Sequence, residues 1–405
     1  MPKVYIIDAK RTAIGSFLGS LSSLSPDKLA GLLIKNIVEK NSINPKNIDE
    51  VILGNILSAG HGQGLGRQAA ILGGIPNEVP AYSLNMLCGS GMKAVINAYT
   101  SIKAEEADMI IAGGMESMSQ TGFMLPAKIR SGNKMMDFAA KDLMITDGLT
   151  DAFSGLHMGI TAENIAEKYG ITREEQDAFA LDSQKKAIVA VDNDKFKEEI
   201  VPVEIKNRKN SFIFDRDEYP NRTTNKEKLA KLRVAFKKDG TVTAGNASGM
   251  NDGASIMLIA SEEAVEKYNL TSMVEIVSIG QGGVDPSIMG MGPVPAINNA
   301  LKKADMKLGD IELIELNEAF AAQSLGVRAE LMKQHNLSEE WFIERTNVNG
   351  GAIALGHPIG ASGNRITTTL LYEMKKRNLK YGLASLCIGG GMGTALIVKY
   401  DSVIL

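Results

Sequence analysis

The chain has 405 residues, 44% of them hydrophobic and 22% charged, enough to bury a large core in two or three globular units. A formal net charge of −3 excludes the basic excess that nucleic-acid binding requires, and no apolar stretch is long enough to cross a membrane. Two cysteines in so long a chain make no disulfide framework, so a reducing cytoplasm is the expected compartment.

The first predicted element is a strand, Val4-Tyr5-Ile6-Ile7-Asp8-Ala9-Lys10-Arg11, with no signal or transit segment ahead of it. Asp49-Glu50-Val51-Ile52-Leu53-Gly54-Asn55 reads as a buried strand ending in Asn. A Gly-rich turn, Cys88-Gly89-Ser90-Gly91, then opens a helix over residues 92–106, and Met109-Ile110-Ile111-Ala112-Gly113-Gly114-Met115 returns as a strand. Between residues 118 and 247 the composition changes. Helical patterns at residues 162–169, closed by Gly170, and at residues 173–193 mark an inserted, partly helical loop domain. Residues 206–238 carry dense charge of both signs and read as a solvated face, with Arg222, Lys226 and Lys228 as candidates for steering an anionic ligand.

The last third repeats the first. Residues 310–317 form a strand ending in Asn317, offset from Asn55 by 317 − 55 = 262 positions. Gly360-Ala361-Ser362-Gly363 and the helix after it match the Cys88 turn and its helix at an offset of 363 − 91 = 272. Leu386-Cys387-Ile388-Gly389-Gly390-Gly391-Met392 matches residues 109–115 at 392 − 115 = 277. Three co-linear matches of strand, helix and strand predict a duplicated α/β fold. One half spans residues 1–117, completed by about residues 248–270, the insertion spans 118–247, and the other half spans 271–405. Residues 402–405 carry no peroxisomal or ER-retention signal.

Both cysteines sit in turns that leave sulfur little side-chain cover. Cys88 stands at a helix start, where free N–H groups and the helix dipole favour an anion, so its thiol pKa should fall and its thiolate should act as a nucleophile. A small packing residue would serve a purely structural role there, as Gly360 does in the other copy, so cysteine in one copy alone favours function. His357, one of only four histidines, precedes the partner helix start and can take a thiol proton or donate to an oxyanion. Cys387 precedes four glycines within six residues, a run whose backbone N–H groups can point at a ligand. Asn317 ends its strand with an amide able to fix a water or a carbonyl.

Asn85-Met86-Leu87-Cys88-Gly89-Ser90-Gly91, Asn317-Glu318-Ala319-Phe320, Gly356-His357-Pro358-Ile359-Gly360-Ala361-Ser362-Gly363 and Cys387-Ile388-Gly389-Gly390-Gly391-Met392-Gly393 closely resemble the thiolase family. The resemblance covers essentially the whole chain. It implies a five-layered α/β/α/β/α fold with an inserted loop domain, and acyl transfer between coenzyme A thioesters. Cys88 would carry the acyl group, and His357 would activate Cys88 and help bind the thioester oxygen. Asn317 would hold a water, and Cys387 would take the α-proton of the second acetyl-CoA. The N–H groups of Cys88 and Gly389 would form a second oxyanion hole.

Within the family, His157-Met158 resemble the biosynthetic type, which condenses two acetyl-CoA to acetoacetyl-CoA and CoA. Leu149, His157, Met158, Ala244, Ser248, Ala319 and Phe320 match positions lining the pantetheine channel and active-site cavity. Arg222 stands beside Asn221, where many relatives carry Arg, and is the candidate contact to the coenzyme A nucleotide; Val234 replaces a usual proline. Coenzyme A thioesters are then substrates, with no cofactor or metal, and a homotetramer or homodimer is implied. A degradative 3-ketoacyl-CoA thiolase of broader chain length is the alternative. A ketoacyl synthase would carry His or Asn where Cys387 stands. A thiol redox sensor or metal-binding protein is the rival from another class.

Overall fold

The computed structural model describes residues 2–401 apart from residue 136 and residues 207–210, so the reading of residues 402–405 lies outside the described residues. Five longer strands run through the first half-sheet, β1 (Val4–Arg11), β2 (Glu50–Gly54), β3 (Ala81–Leu84), β4 (Met109–Ser117) and β5 (Asn251–Ser261), in the order β3-β2-β4-β5-β1, and a two-residue strand, Gly15–Ser16, pairs with the start of β5. The second half-sheet contains β6 (Val274–Gly283), β7 (Leu313–Leu316), β8 (Tyr381–Ile388) and β9 (Met392–Lys399), in the order β6-β9-β8-β7. In both, a short strand runs parallel to its inner neighbour, β2 with β4 and β7 with β8; β3 is also parallel to β2, and the remaining neighbours are antiparallel. Only two residue pairs, Tyr5 with Glu275 and Ile6 with Val274, join the half-sheets between β1 and β6.

The near-continuous apolar runs of β4 and β8 are what sheets covered on both faces require. Side chains alternate along them. Met109 and Ile111 face α1 (Pro26–Lys40) through Leu29, Leu33 and Ile37, whereas Ile110 and Ala112 face inward. The inward face meets α2 (Ser90–Lys103) through Met92, Val95 and Ile96. The insertion contributes α3 (Met158–Tyr169) and α4 (Arg173–Asp192), and the second half adds α5 (Pro293–Ala304), α6 (Ala321–His335) and α7 (Ser362–Arg377). Ile366, Leu370 and Met374 of α7 share the central core with α2 and with Ala384 and Leu386 of β8. Leu383, Ala395 and Ile397 point the other way, onto Val294, Ile297 and Leu301 of α5. The layers are therefore α/β/α/β/α, with α2 and α7 in the middle. Each fully buried Leu or Ile in this core contributes about 1.5–3 kcal/mol.

Close backbone approach fixes how the two central helices begin. A Cβ on Gly91 would stand 2.9 Å from the Gly360 carbonyl oxygen, and one on Gly363 would stand 2.8 Å from the Met92 Cβ. The helix starts after Cys88 and Gly360 thus meet directly. Strand register corrects one sequence expectation. Gly54 pairs with Gly114 and Leu316 with Ser385; since Gly54 matches Leu316 at 316 − 54 = 262, the strands β4 and β8 match at 385 − 114 = 271, not 277. The position equivalent to Cys387 is therefore Glu116.

The insertion is tied to the core by Arg11, whose guanidinium is wholly buried. It donates to Asp217 at 2.7 and 2.9 Å and to Glu199 at 2.6 Å. Removing one partner of such a buried pair costs about 3–5 kcal/mol, so this anchor holds the insertion over the site.

Candidate active site

Cys88 ends a tight turn held by its own polar groups. Leu87 adopts φ 49°, and its N–H donates to Asn85 Oδ1 at 2.9 Å. Ser90 Oγ accepts the Met86 N–H at 2.8 Å and donates to the Leu87 carbonyl at 2.7 Å. Two backbone N–H groups, those of Gly389 and of Cys88 itself, reach the Cys88 sulfur. Burial outweighs them and pushes the thiol up to about 11. The lowered pKa expected from the helix start is thereby reversed in sign. Desolvation penalises the thiolate more than the donors favour it.

Cys387 lies at the end of β8, wholly buried, and the turn after it uses left-handed glycines at Gly390 (φ 78°) and Gly391 (φ 82°). Burial raises its thiol beyond the ordinary range, and negative charge on Cys88 raises it further. The two cysteine turns pack on each other. A Cβ on Gly89 would lie 2.2 Å from Ile388 Cδ1, and one on Gly389 would lie 2.9 Å from Leu87 Cδ1. The two thiols, far apart in sequence, share one site.

His357 is brought to the same place by the turn before α7. Its Nδ1 lies 2.5 Å from Ser362 Oγ, and that hydroxyl donates to the Pro358 carbonyl at 2.8 Å. Ser362 has a single hydrogen, so Nδ1 carries the imidazole proton and Nε2 keeps a lone pair. Nε2 is buried and has no partner among the described residues. Burial, reinforced by the Arg365 charge, pushes the imidazole down to about 3, so it is neutral at physiological pH. Asn317 is fully buried; its backbone N–H donates to the Ser385 carbonyl at 3.0 Å, but neither atom of its amide has a protein partner.

A cavity of about 1050 Å³ opens onto Cys88, His357 and Gly389. Leu149, His157, Met158, Ala244, Ser248, Ala319 and Phe320 all line it. Cys387 is not among the lining residues but shares a buried cluster with Met158, Met289, Ala319 and Phe320, which are, and Asn317 stands two residues before Ala319. His157 Nδ1 accepts the Gly159 N–H at 3.1 Å and so caps α3, while its ring stacks on Phe236 at 4.6 Å between centroids. Arg222 stands elsewhere: it is not among the lining residues, and Asp192 engages its guanidinium at 2.6 and 2.9 Å on the surface.

Sequence reasoning missed Phe236, Met289 and Tyr219, which also line the cavity, and Glu116 and Asn251, which support it. The signal for Glu116 was there to find: a carboxylate closing an otherwise apolar strand. It is fully buried, takes four N–H donors, and is still pushed up to about 7 by desolvation. Among the described residues no cluster of three His, Cys, Asp or Glu side chains could hold a metal ion, and no helix is long and apolar enough to cross a membrane.

Comparison with known proteins agrees with this geometry. Residues 4–263 match the domain described as Thiolase, N-terminal domain, and residues 270–400 match Thiolase, C-terminal domain. An acetyl-CoA acetyltransferase of Allochromatium vinosum is 51% identical over 397 residues, covering 98% of each chain. One from Escherichia coli is 50% identical over 399 residues, covering 98% of this chain and 99% of that one. Among solved structures, the Bacillus anthracis acetyl-CoA acetyltransferase superposes with a TM-score of 0.94 at 41% identity, covering 99% of both chains. Human mitochondrial 3-ketoacyl-CoA thiolase in complex with CoA superposes with a TM-score of 0.92 at 43% identity, covering 99% of this chain and 98% of that one. With both domain matches laid end to end across the two half-sheets, and half of its residues shared over nearly the full length of curated relatives, the chain belongs to the thiolase family.

Proposed function

We propose that this protein is an acetyl-CoA C-acetyltransferase, condensing two acetyl-CoA to acetoacetyl-CoA and CoA, reversibly, through acetyl-Cys88. The observation that supports it most is the meeting of two thiols with a bare imidazole nitrogen at one cavity. The names of the relatives described above point to the same acetyl chemistry.

In the first half-reaction the Cys88 sulfur attacks the thioester carbonyl while His357 Nε2 takes the thiol proton. The thiol and imidazole are both neutral beforehand, so charge develops only as the new C–S bond forms. CoA leaves as a thiol, taking that proton. The Cys88 and Gly389 N–H groups, already aimed at the sulfur, are suited to hold the acyl carbonyl oxygen.

In the second half-reaction Cys387 removes the α-proton of a second acetyl-CoA. Cys387 becomes that base by passing its own proton to His357 Nε2, and acetyl-Cys88, unable to ionise, places no charge beside it to oppose this. The enolate oxygen is held by the His357 Nε2–H so formed and by a water on the Asn317 amide. Its carbon attacks the acyl carbonyl in a Claisen condensation, the C–S bond to Cys88 breaks, and the proton on His357 Nε2 restores the Cys88 thiol.

CoA thioesters are substrates in this scheme, no resident cofactor or metal takes part, and the enzyme works in the cytoplasm as a homotetramer or homodimer. Two free thiols suit a reducing compartment. The broad apolar cavity and the likeness to a 3-ketoacyl-CoA thiolase favour a second reading, the degradative enzyme. Incubation with labelled acetyl-CoA followed by peptide mass spectrometry should find acetate on Cys88. Turnover of acetoacetyl-CoA should exceed that of longer 3-ketoacyl-CoA substrates; the reverse order selects the degradative enzyme. No adduct at Cys88 sinks both.

A further inference from the structure

The thiol and the imidazole come from different halves of the chain. Their alignment therefore depends on how the turn His357-Pro358-Ile359-Gly360 is set against the first half. Two buried side chains from adjacent strands of that half grip its two ends.

At one end, Asn251 at the start of β5 accepts the His357 N–H on Oδ1 at 2.9 Å. Its Nδ2 donates to the Gly15 carbonyl at 3.0 Å, which fixes the orientation of the amide. At the other end, Glu116 near the end of β4 accepts the Gly360 N–H on Oε2 at 3.0 Å. Three more donors hold the same carboxylate: Ile56 N–H at 3.2 Å, Leu57 N–H at 3.1 Å and Asn55 Nδ2 at 2.8 Å. Gly253 pairs with Glu116 in the β4–β5 register, so Asn251 is only two positions from the residue opposite Glu116. Both grips thus rest on one rigid piece of sheet.

The turn is shaped to receive them. A Cβ on Gly356 would lie 2.5 Å from the Asn251 amide carbon, and one on Gly360 would lie 2.7 Å from Glu116 Oε2. Side chains there would push the turn off its supports. Neither Glu116 nor Asn251 lines the cavity, and the Glu116 oxygens are already committed to N–H groups, so the carboxylate is badly placed to exchange protons with substrate.

We propose that Glu116 is a positioning residue which, together with Asn251, clamps the His357 turn across the seam between the halves and so presents Nε2 to the cavity beside Cys88. The inference rests on the reading of His357 as the group that takes the Cys88 proton. Its contribution is alignment: a reacting group displaced by about 1 Å can cost roughly a hundredfold in rate.

A double-mutant cycle tests this. Glu116→Gln keeps the shape but turns an NH₂ group toward N–H donors, and is expected to lower kcat for acetoacetyl-CoA thiolysis about 10- to 100-fold, with KM changed less than about threefold. In a His357→Ala background the same substitution should cost nothing further, because a residue that acts through His357 has nothing left to align. Equal fold-losses in both backgrounds, or a loss carried by KM alone, overturn the clamp. If Glu116→Gln does not fold, Asn251→Ala is put through the same cycle, with the same two outcomes. Full activity of His357→Ala alone would instead overturn the functional reading, which keeps the two failures apart.

Discussion

Asn55 and Asn317 end equivalent strands of the two halves, yet their side chains live differently. Asn55 Nδ2 donates to Glu116 at 2.8 Å and to the Met115 carbonyl at 3.2 Å, whereas the Asn317 amide meets no protein partner. The difference traces to one position. Register places Glu116 where the other half has Cys387, since 387 − 116 equals the same 271 as the neighbouring strand pairs. A carboxylate at that position absorbs the asparagine amide and the next two backbone N–H groups. A thiol, a weak acceptor, leaves the equivalent amide uncommitted. One copy of the scaffold spent its polar groups on holding itself together, and the other kept them for a substrate.

The sharpest way to break this comparison is Cys387→Ala. It should leave acetylation of Cys88 by labelled acetyl-CoA intact while lowering condensation about 10²- to 10⁴-fold, the range for removing a general base. Condensation at the parental rate would remove Cys387 from the mechanism.

The asparagines come next. Asn317→Ala should lower kcat about 10²- to 10³-fold with little change in melting temperature, as loss of an oxyanion donor does. Asn55→Ala should instead cost about 1–3 kcal/mol of stability, read as a lower Tm, because it leaves a buried carboxylate short of a donor. If both lose the same activity, the division between a structural and a chemical asparagine is wrong.

The smallest effect is in the pH profile. An imidazole pushed down to about 3 gains its proton only as pH falls toward that value, and a thiol pushed up to about 11 loses its proton only as pH rises toward that one. Between them the pair stays neutral. Stopped-flow acetylation of Cys88 should therefore vary little between about pH 6 and pH 9. An isolated ordinary thiol would gain about tenfold per pH unit up to about 8.5, and that slope would show that His357 does not take the proton.

Much of this was legible in the chain. Turns that must admit a backbone or a ligand need glycine, so Cys88, His357 and Cys387 stand out in Gly-rich surroundings, and the alternation of strand and helix carried the duplicated α/β units, while the five layers came from the family resemblance. Three things were hidden for physical reasons. The third repeat was aligned on its glycines, six residues out of register, because composition marks a turn but not which residues face each other across a sheet. The sign of the thiol shift was missed because it depends on cover supplied by residues distant in sequence, such as Met118 and Ile359, against whose cluster Cys88 packs. Arg222, one step from the expected position, is tied to Asp192 on the surface, a pairing only the folded insertion creates.

Among the described residues the two half-sheets meet through two backbone pairs, and the nucleophile and its proton acceptor lie on opposite sides of that join. Neither half is a smaller enzyme in waiting. Although each half repeats the same unit, the reactive constellation belongs to the junction and to neither copy.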